Sequence, residues 1–318
     1  MLSGKAVVIT GAGRGIGAAC ARGVALQGAS VVVNDVDEDA ARQTVGEIEA
    51  NGGTAVSCVA DVSDWDHAGR LINYCISAFG KIDGLVNNAA LYHKGGIEEF
   101  DPTVARALVE VNVLGPMNCT GRAVKPMLAQ GSGSIVSVVS GAHMGMPGMG
   151  IYGATKGAVA SMIYTWALEL AGTGVRINGL SPFGATNILG NSNRYINRRY
   201  QGGLTEGDEP DSTVVIQPPD DNSPIVEYLL SDEAADVNGQ LVRIDKGEIQ
   251  LYTHPALLLP SVKRDRWDVQ QVAQAFREDL KHRQVNCGVM GMESLPVELT
   301  SGHWRRTALA GQSEASGT

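Results

Sequence analysis

No stretch of this sequence stays apolar for the ~20 residues that a membrane-spanning helix needs, and no signal peptide precedes the first strand-like run, Ala6-Val7-Val8-Ile9. The expectation is a cytoplasmic protein with no membrane partner. Positive charge is in short supply: 25 Lys and Arg stand against 34 Asp and Glu, a formal net charge of −9. A surface of that sign repels a phosphate backbone, which argues against nucleic acid. Cysteine is sparse as well. The five residues Cys20, Cys58, Cys75, Cys119 and Cys287 form no Cys-x-x-Cys pair and have no histidine at ligand spacing. An odd count in a long chain argues against a disulfide framework, no metal site is expected, and the cysteines read as small buried hydrophobes. Aromatic residues make up only 5%, and no repeat at solenoid spacing is present.

What is there is a core. Hydrophobic residues reach 44% and charged residues 19% of 318, enough for one large α/β domain with a modest extension. Forty glycines let elements pack closely and let backbone approach a ligand. Short β-branched runs recur at Val7–Ile9, Val31–Val33, Ala55–Val59, Ile82–Val86, Ile135–Val139, Val175–Leu180 and Leu241–Ile244. Nearly continuous apolar runs of this length fit strands covered on both faces, as in a parallel sheet. Helical segments lie between them. Leu71, Ile72, Cys75, Ile76 and Phe79 repeat at helical spacing, with a start signal at Ser63-Asp64-Trp65-Asp66 and a stop at Gly80. The alternation predicts a Rossmann-type, doubly wound parallel sheet of about seven strands with helices on both faces. The polar, weakly periodic stretch 187–222 is too long for an ordinary connection and reads as a substrate flap. The expected division is a catalytic domain over 1–248, an extension over 249–310 packed on that domain or on a neighbouring subunit, and a disordered tail over 311–318. A helix is expected at Val269–Leu280, with Val269, Val272, Ala275 and Phe276 on one side.

The first strand leads into Thr10-Gly11-Ala12-Gly13-Arg14-Gly15-Ile16-Gly17, followed by a helix. Glycines there permit a tight turn and let a pyrophosphate approach main-chain N–H groups at a helix N-terminus. Asp35, about 20 residues past the glycines, stands where a carboxylate accepts hydrogen bonds from ribose hydroxyls and repels a 2′-phosphate. Arg14 pulls the other way, since a basic side chain pairs with that phosphate. The carboxylate sits at the discriminating oxygen itself, so NAD is the expected cofactor.

Farther along, Tyr152-Gly-Ala-Thr-Lys156 opens a helix. Residues four apart share a helix face, so Tyr152 and Lys156 point into one cleft. A nearby ammonium and a positive nicotinamide ring would make the phenol acidic enough to exchange a proton with a hydroxyl while hydride leaves the same carbon. Ser140 would hold the substrate oxygen, and Asn112 would anchor a water that links Lys156 to solvent.

With these motifs in order, the chain resembles the classical short-chain dehydrogenase/reductase family over about Leu2 to Lys246. Thr10 to Gly17 matches its glycine pattern, Asn87-Asn88-Ala89-Ala90 its motif after the fourth strand (with Ala90 for the usual Gly), and Asp61-Val62 its pair at the adenine. Asn112, Ser140, Tyr152 and Lys156 match its catalytic tetrad. Ser181-Pro182-Phe183-Gly184 stands for its Pro-Gly motif, with Phe183 inserted. The resemblance implies cofactor contacts from Gly11, Arg14, Gly15, Ile16, Gly17, Asp35, Asp61, Val62, Asn88, Ala89, Tyr152, Lys156, Pro182 and Thr186. It also implies a homo-oligomer, dimer or tetramer, for which the stripe Ala158, Met162, Trp166, Leu170 is suited; that stripe reads equally as core.

The substrate wall falls to 141–149 and the flap. Ala142, His143, Met149, Phe183, Arg194 and Arg198 are its candidates. Methionines suit an irregular apolar ligand but also plain loop packing. His143 is a contact or an exposed loop residue; the arginines pair with an anion or with solvent. The expected activity is NAD(H)-dependent interconversion of a secondary alcohol (apolar, aromatic or acyl-type) and its ketone. The alternatives are an isomerase or dehydratase of the same family with retained cofactor, and a non-catalytic NAD(H)-binding protein.

Overall fold

The computed structural model describes residues 1–184, 188–200, 217–245, 247–255 and 261–283. Thr186 and the tail 311–318 lie outside these residues. The chain divides into two compact units, Met1–Tyr252 and Thr253–Thr318.

In the first unit, eight strands form one sheet in the order β3-β2-β1-β4-β5-β6-β7-β8. They are β1 Ala6–Ile9, β2 Ser30–Asp35, β3 Thr54–Val59, β4 Gly84–Asn87, β5 Gly133–Val138, β6 Val175–Ser181, β7 Leu241–Asp245 and β8 Glu248–Leu251. The first seven run parallel, with register such as Val8 opposite Val32 and Leu85. The expected parallel sheet is present, with one addition: β8 pairs antiparallel with β7, Val242 opposite Leu251. The fourth strand begins at Gly84 rather than Ile82. Ile82 is buried, but its main chain bonds the Gln130 side chain instead of a neighbouring strand, at 2.8 Å from the amide Nε2 to the Ile82 oxygen.

Helices α1 Gly15–Leu26, α2 Glu38–Ala50 and α8 Ser223–Leu230 cover one face of the sheet. Helices α3 Trp65–Phe79, α4 Pro102–Val109, α5 Gly115–Gln130 and α6 Gly150–Glu169 cover the other. Strand side chains alternate between the two cores: Val7 and Ile9 join the first group, Ala6 and Val8 the second. Local signals set the helix ends. Asp64 caps α3 by accepting from the Asp66 and His67 N–H groups, and Gly80 closes it at φ 80°. Of the stripe on α6, Met162 and Leu170 are buried within the chain's own fold. Cys20, Cys75 and Cys119 are buried free thiols, which burial pushes up to about 12. Part of the expected flap, Ile188–Tyr200, forms helix α7. In the second unit, Asp268 and Gln271 form a reciprocal capping box at the start of α9, Val269–Glu278.

The sheet centre is tightly filled. Ile177 on β6 is fully buried, so Ile177→Ala should cost about 2–5 kcal/mol in urea denaturation, through lost transfer energy and the cavity left behind.

Candidate active site

Strand order reverses between β1 and β4, so the loops leaving their carboxyl ends diverge and open a crevice. Thr10 and Asn88 stitch its floor. The Thr10 hydroxyl accepts from the Asn88 and Ala89 N–H groups, both at 3.0 Å, and the Asn88 amide donates to the Thr10 and Gly11 carbonyls, both at 2.9 Å. Gly11 and Gly15 take φ of 59° and 57°. A Cβ on Gly11 would stand 2.7 Å from the Ala89 Cα, and one on Gly17 would stand 2.2 Å from the Gly11 oxygen. Only glycine fits this cradle. Arg14 is the N-cap of α1 but supplies no side-chain cap, so the helix start suits a pyrophosphate. These residues fit a dinucleotide.

Asp35 ends β2 and accepts from the Gly13 and Asp37 N–H groups, each at 3.0 Å. A carboxylate has about four acceptor positions, so capacity for ribose hydroxyls remains. Arg14 is engaged by Asp37 at 2.7 Å. That hydrogen bond is the main reason the Asp37 carboxyl lies below its usual range.

Asp61 is more heavily used. It accepts from the Ser63 N–H and hydroxyl at 3.0 and 2.7 Å, from the Tyr195 hydroxyl at 3.0 Å, and from the Arg199 guanidinium. Arg199 also pairs with Glu110 at 3.3 Å. Helix α7 therefore reaches the residue that resemblance places at the adenine. The arginine that pairs with acids of the first unit is Arg199; Arg198 and Arg199 are both exposed, and Arg194 bonds Asn191 within the same helix at 2.5 Å. Val62 is buried behind Asp61.

On the other side of the crevice, α6 carries Tyr152 and Lys156, both almost fully buried. Lys156 donates to the Val138 carbonyl at 2.8 Å, and its nitrogen lies 5.7 Å from the centre of the Tyr152 ring. Burial lowers Lys156 to about 8. It also pushes Tyr152 up to about 12, against a lowering by its hydrogen bond with Ser140. The expected acidic phenol is thus not a property of the protein alone. Desolvation outweighs a lysine that bonds main chain rather than the phenol.

Asn112 occupies a π-helical turn, Glu110–Leu114, between α4 and α5. Its side chain accepts from Leu91 N–H at 2.7 Å and donates to the Leu91 carbonyl and the Thr155 hydroxyl at 2.8 and 3.1 Å. The amide clamps the loop after β4 to α6, with both of its N–H groups used within the protein.

Ser140, Ala142 and His143 lie in a short turn before α6, with Met149 at the helix N-cap position. Pro182 is partly buried, and Phe183 is pinned by Asn222 through two bonds at 3.2 and 3.0 Å. Sequence reasoning missed Tyr92, whose ring meets the Tyr152 ring edge-on at 5.1 Å. Its place just after the Asn87–Ala89 motif was legible; its contact was not. Among the described residues no group of three His, Cys, Asp or Glu side chains gathers as a metal site, and no helix is long and apolar enough to cross a membrane.

A glycine cradle at a sheet switch point, facing a Ser-Tyr-Lys cluster, defines a Rossmann-type oxidoreductase that uses a nicotinamide cofactor. Residues 5–194 match the profile described as short chain dehydrogenase, and the chain belongs to that family. It is 36% identical over 255 residues to an uncharacterised oxidoreductase of Methylorubrum extorquens, covering 77% of this chain and 98% of the relative. It is 34% identical to a 3-oxoacyl-[acyl-carrier-protein] reductase of Synechocystis, with 78% and 98% covered. A solved gluconate 5-dehydrogenase from Burkholderia cenocepacia, in complex with NADP and tartrate, superposes with a TM-score of 0.65 at 30% identity, covering 77% of this chain and 95% of the other.

Lys156 generates a prediction. Its folded value of about 8 lies below the ordinary 10.5. The cost of burying its charge is therefore fully present below about pH 8 and fades as pH rises toward 10.5. The stability difference between Lys156→Met and the parent should shift by about 2 kcal/mol toward the parent between about pH 7 and about pH 9.5, read by urea denaturation. A pH-independent difference would show the ammonium to be well solvated.

Proposed function

We propose that this protein is an NAD(H)-dependent alcohol dehydrogenase or ketone reductase that interconverts a secondary alcohol and its ketone, with Tyr152 as acid/base. The observation that carries this reading is the convergence of Ser140, Tyr152 and Lys156 beside the glycine cradle.

Ser140 lies close enough to Tyr152 to lower its value against the effect of burial, so a carbinol oxygen placed between them would be held by both. Bound NAD+ supplies the hydride acceptor and a positive ring charge. Tyr152 takes the hydroxyl proton in oxidation and returns a proton to the carbonyl oxygen in reduction. Lys156, cationic at neutral pH because about 8 still exceeds 7, favours the phenolate through its charge. Asn112 keeps α6 and the loop after β4 in register, and so fixes the distance between phenol and cofactor cradle.

Two features support NAD over NADP. Asp35 and Asp37 put two carboxylates where a 2′-phosphate would go, and the Arg14 cation is matched by Asp37. The Burkholderia neighbour is in complex with NADP. The substrate class, an apolar, aromatic or acyl-type secondary alcohol, draws support from the Met146 and Met149 side chains packed at the active-site core and from the 3-oxoacyl relative. A dimer or tetramer is the assembly that family membership favours.

Tyr152→Phe should lose turnover by about 10²–10⁴-fold while binding NADH within threefold of the parent by fluorescence; retained turnover would remove Tyr152 from its role. The parent should bind NADH at least tenfold more tightly than NADPH, and Asp35→Ala should narrow that ratio. A parent that prefers NADPH would reverse the cofactor assignment.

A further inference from the structure

Strand β8 is the feature that the parallel sheet does not require. Its pairing with β7 ends at Leu251, and the next residue, Tyr252, donates its N–H to the Leu241 carbonyl at 3.0 Å. The Tyr252 ring turns into the core shared by Ala142 and Tyr152 and is only 8% exposed. Its hydroxyl lies 3.2 Å from the Ser181 hydroxyl at the end of β6. Its ring meets the His143 imidazole edge-on, with centroids 5.1 Å apart and planes at 74°.

His143 is held from a second side. Its Nδ1 lies 2.5 Å from the Ser140 carbonyl oxygen, and its own N–H bonds the same oxygen at 3.1 Å. A carbonyl oxygen only accepts, so the neutral ring must carry its proton on Nδ1, and Nε2 becomes the acceptor. The ring is partly buried three residues from Ser140, the group that grips the substrate oxygen.

We infer that Tyr252 is a positioning residue that holds the His143 ring in place edge-on, while the Ser140 carbonyl fixes its Nδ1–H tautomer, so that Nε2 accepts a hydrogen bond from a second hydroxyl on the substrate, adjacent to the reacting carbinol. The inference rests on the placement of Ser140 at the substrate oxygen. A site built to pair with a hydroxyl rejects the analogue that lacks it, because its acceptor is left desolvated and unpaired. Tyr252 acts only through His143; the appended strand thereby sets specificity without touching the reacting atoms.

The tautomer can be read without any substrate. In heteronuclear NMR of the full chain with isotope-labelled histidine, the His143 signals, assigned by their loss in His143→Ala, should show a protonated Nδ1 and an unprotonated Nε2. Tyr252→Leu and Tyr252→Phe should both keep this tautomer, because the Ser140 carbonyl that sets it is untouched; only Tyr252→Leu should shift the His143 ring signals, through loss of the aromatic neighbour. With NAD+, the kcat/KM ratio for a vicinal cyclohexanediol over cyclohexanol should fall at least tenfold in both His143→Ala and Tyr252→Leu, mainly through KM for the diol. The double variant should be no worse than either single one, and Tyr252→Phe should recover the ratio. A protonated Nε2 in the parent overturns the inference, as does an equal loss on both alcohols, which would make Tyr252 a packing residue. If neither alcohol is turned over by the parent, the choice of alcohol substrate fails, and the NMR result alone decides the tautomer.

Discussion

The hydrogen bond from the Lys156 ammonium to the Val138 carbonyl, 2.8 Å long, ties helix α6 to the last residue of β5. Everything at the active site is measured from it. Taking an ammonium out of water costs several kcal/mol, so the charge is tolerated only where a partner is fixed in place. The partner here is a strand carbonyl in the middle of a sheet, which cannot drift. One helical turn before the lysine, Tyr152 is held against Ser140, which itself stands two residues beyond Val138. The same short piece of chain therefore carries both the anchor of the cation and the serine beside the phenol. Burial that fixes this geometry also leaves the phenol weakly acidic by itself, so the protein presents a proton-transfer group whose activation needs further positive charge beside it.

Across the crevice the constraint is one of space rather than charge. A side chain on Gly11 would strike the backbone of the loop after β4, and one on Gly17 would strike the Gly11 carbonyl and the Asn88 side chain, while hydrogen bonds between Thr10 and Asn88 join the two loops. The main chain is thereby left bare at the start of α1, which is what a diphosphate requires. Asp61, after β3, is engaged by Tyr195 and Arg199 from α7, so that helix and the loop after β3 meet on one carboxylate.

Much of this was legible from residue order. The β-branched runs gave seven of the strands, because strands buried on both faces must be apolar throughout. Asp64 and Gly80 marked the ends of α3 through capping chemistry that acts within a few residues. The glycine loop, Ser140, Tyr152 and Lys156 were legible because their roles depend on spacing along one element. The residues that escaped depend on contacts between distant elements. Strand β8 is short, with all four residues exposed, so no hydrophobic pattern announces it. Its product, Tyr252, reaches His143 across more than a hundred residues of sequence. The arginine that reaches Asp61 is Arg199, which the sequence reading did not single out, because only the rotation of α7 brings it there, and the partners of the Asn112 amide, Leu91 and Thr155, come from separate elements.

The sequence by itself determined the fold class, the glycine cradle and the pairing of Tyr152 with Lys156 on one helix, since hydrophobic period, glycine placement and helical spacing are local and survive without the rest of the chain. Only the tertiary structure decided the electrostatics: that Lys156 is buried on a carbonyl, that Tyr152 is pushed up rather than down, that Arg14 is matched by Asp37, and that Asp61 belongs to two neighbours. Charge energies depend on distance and on exclusion of water, and both are set by which elements the fold brings together.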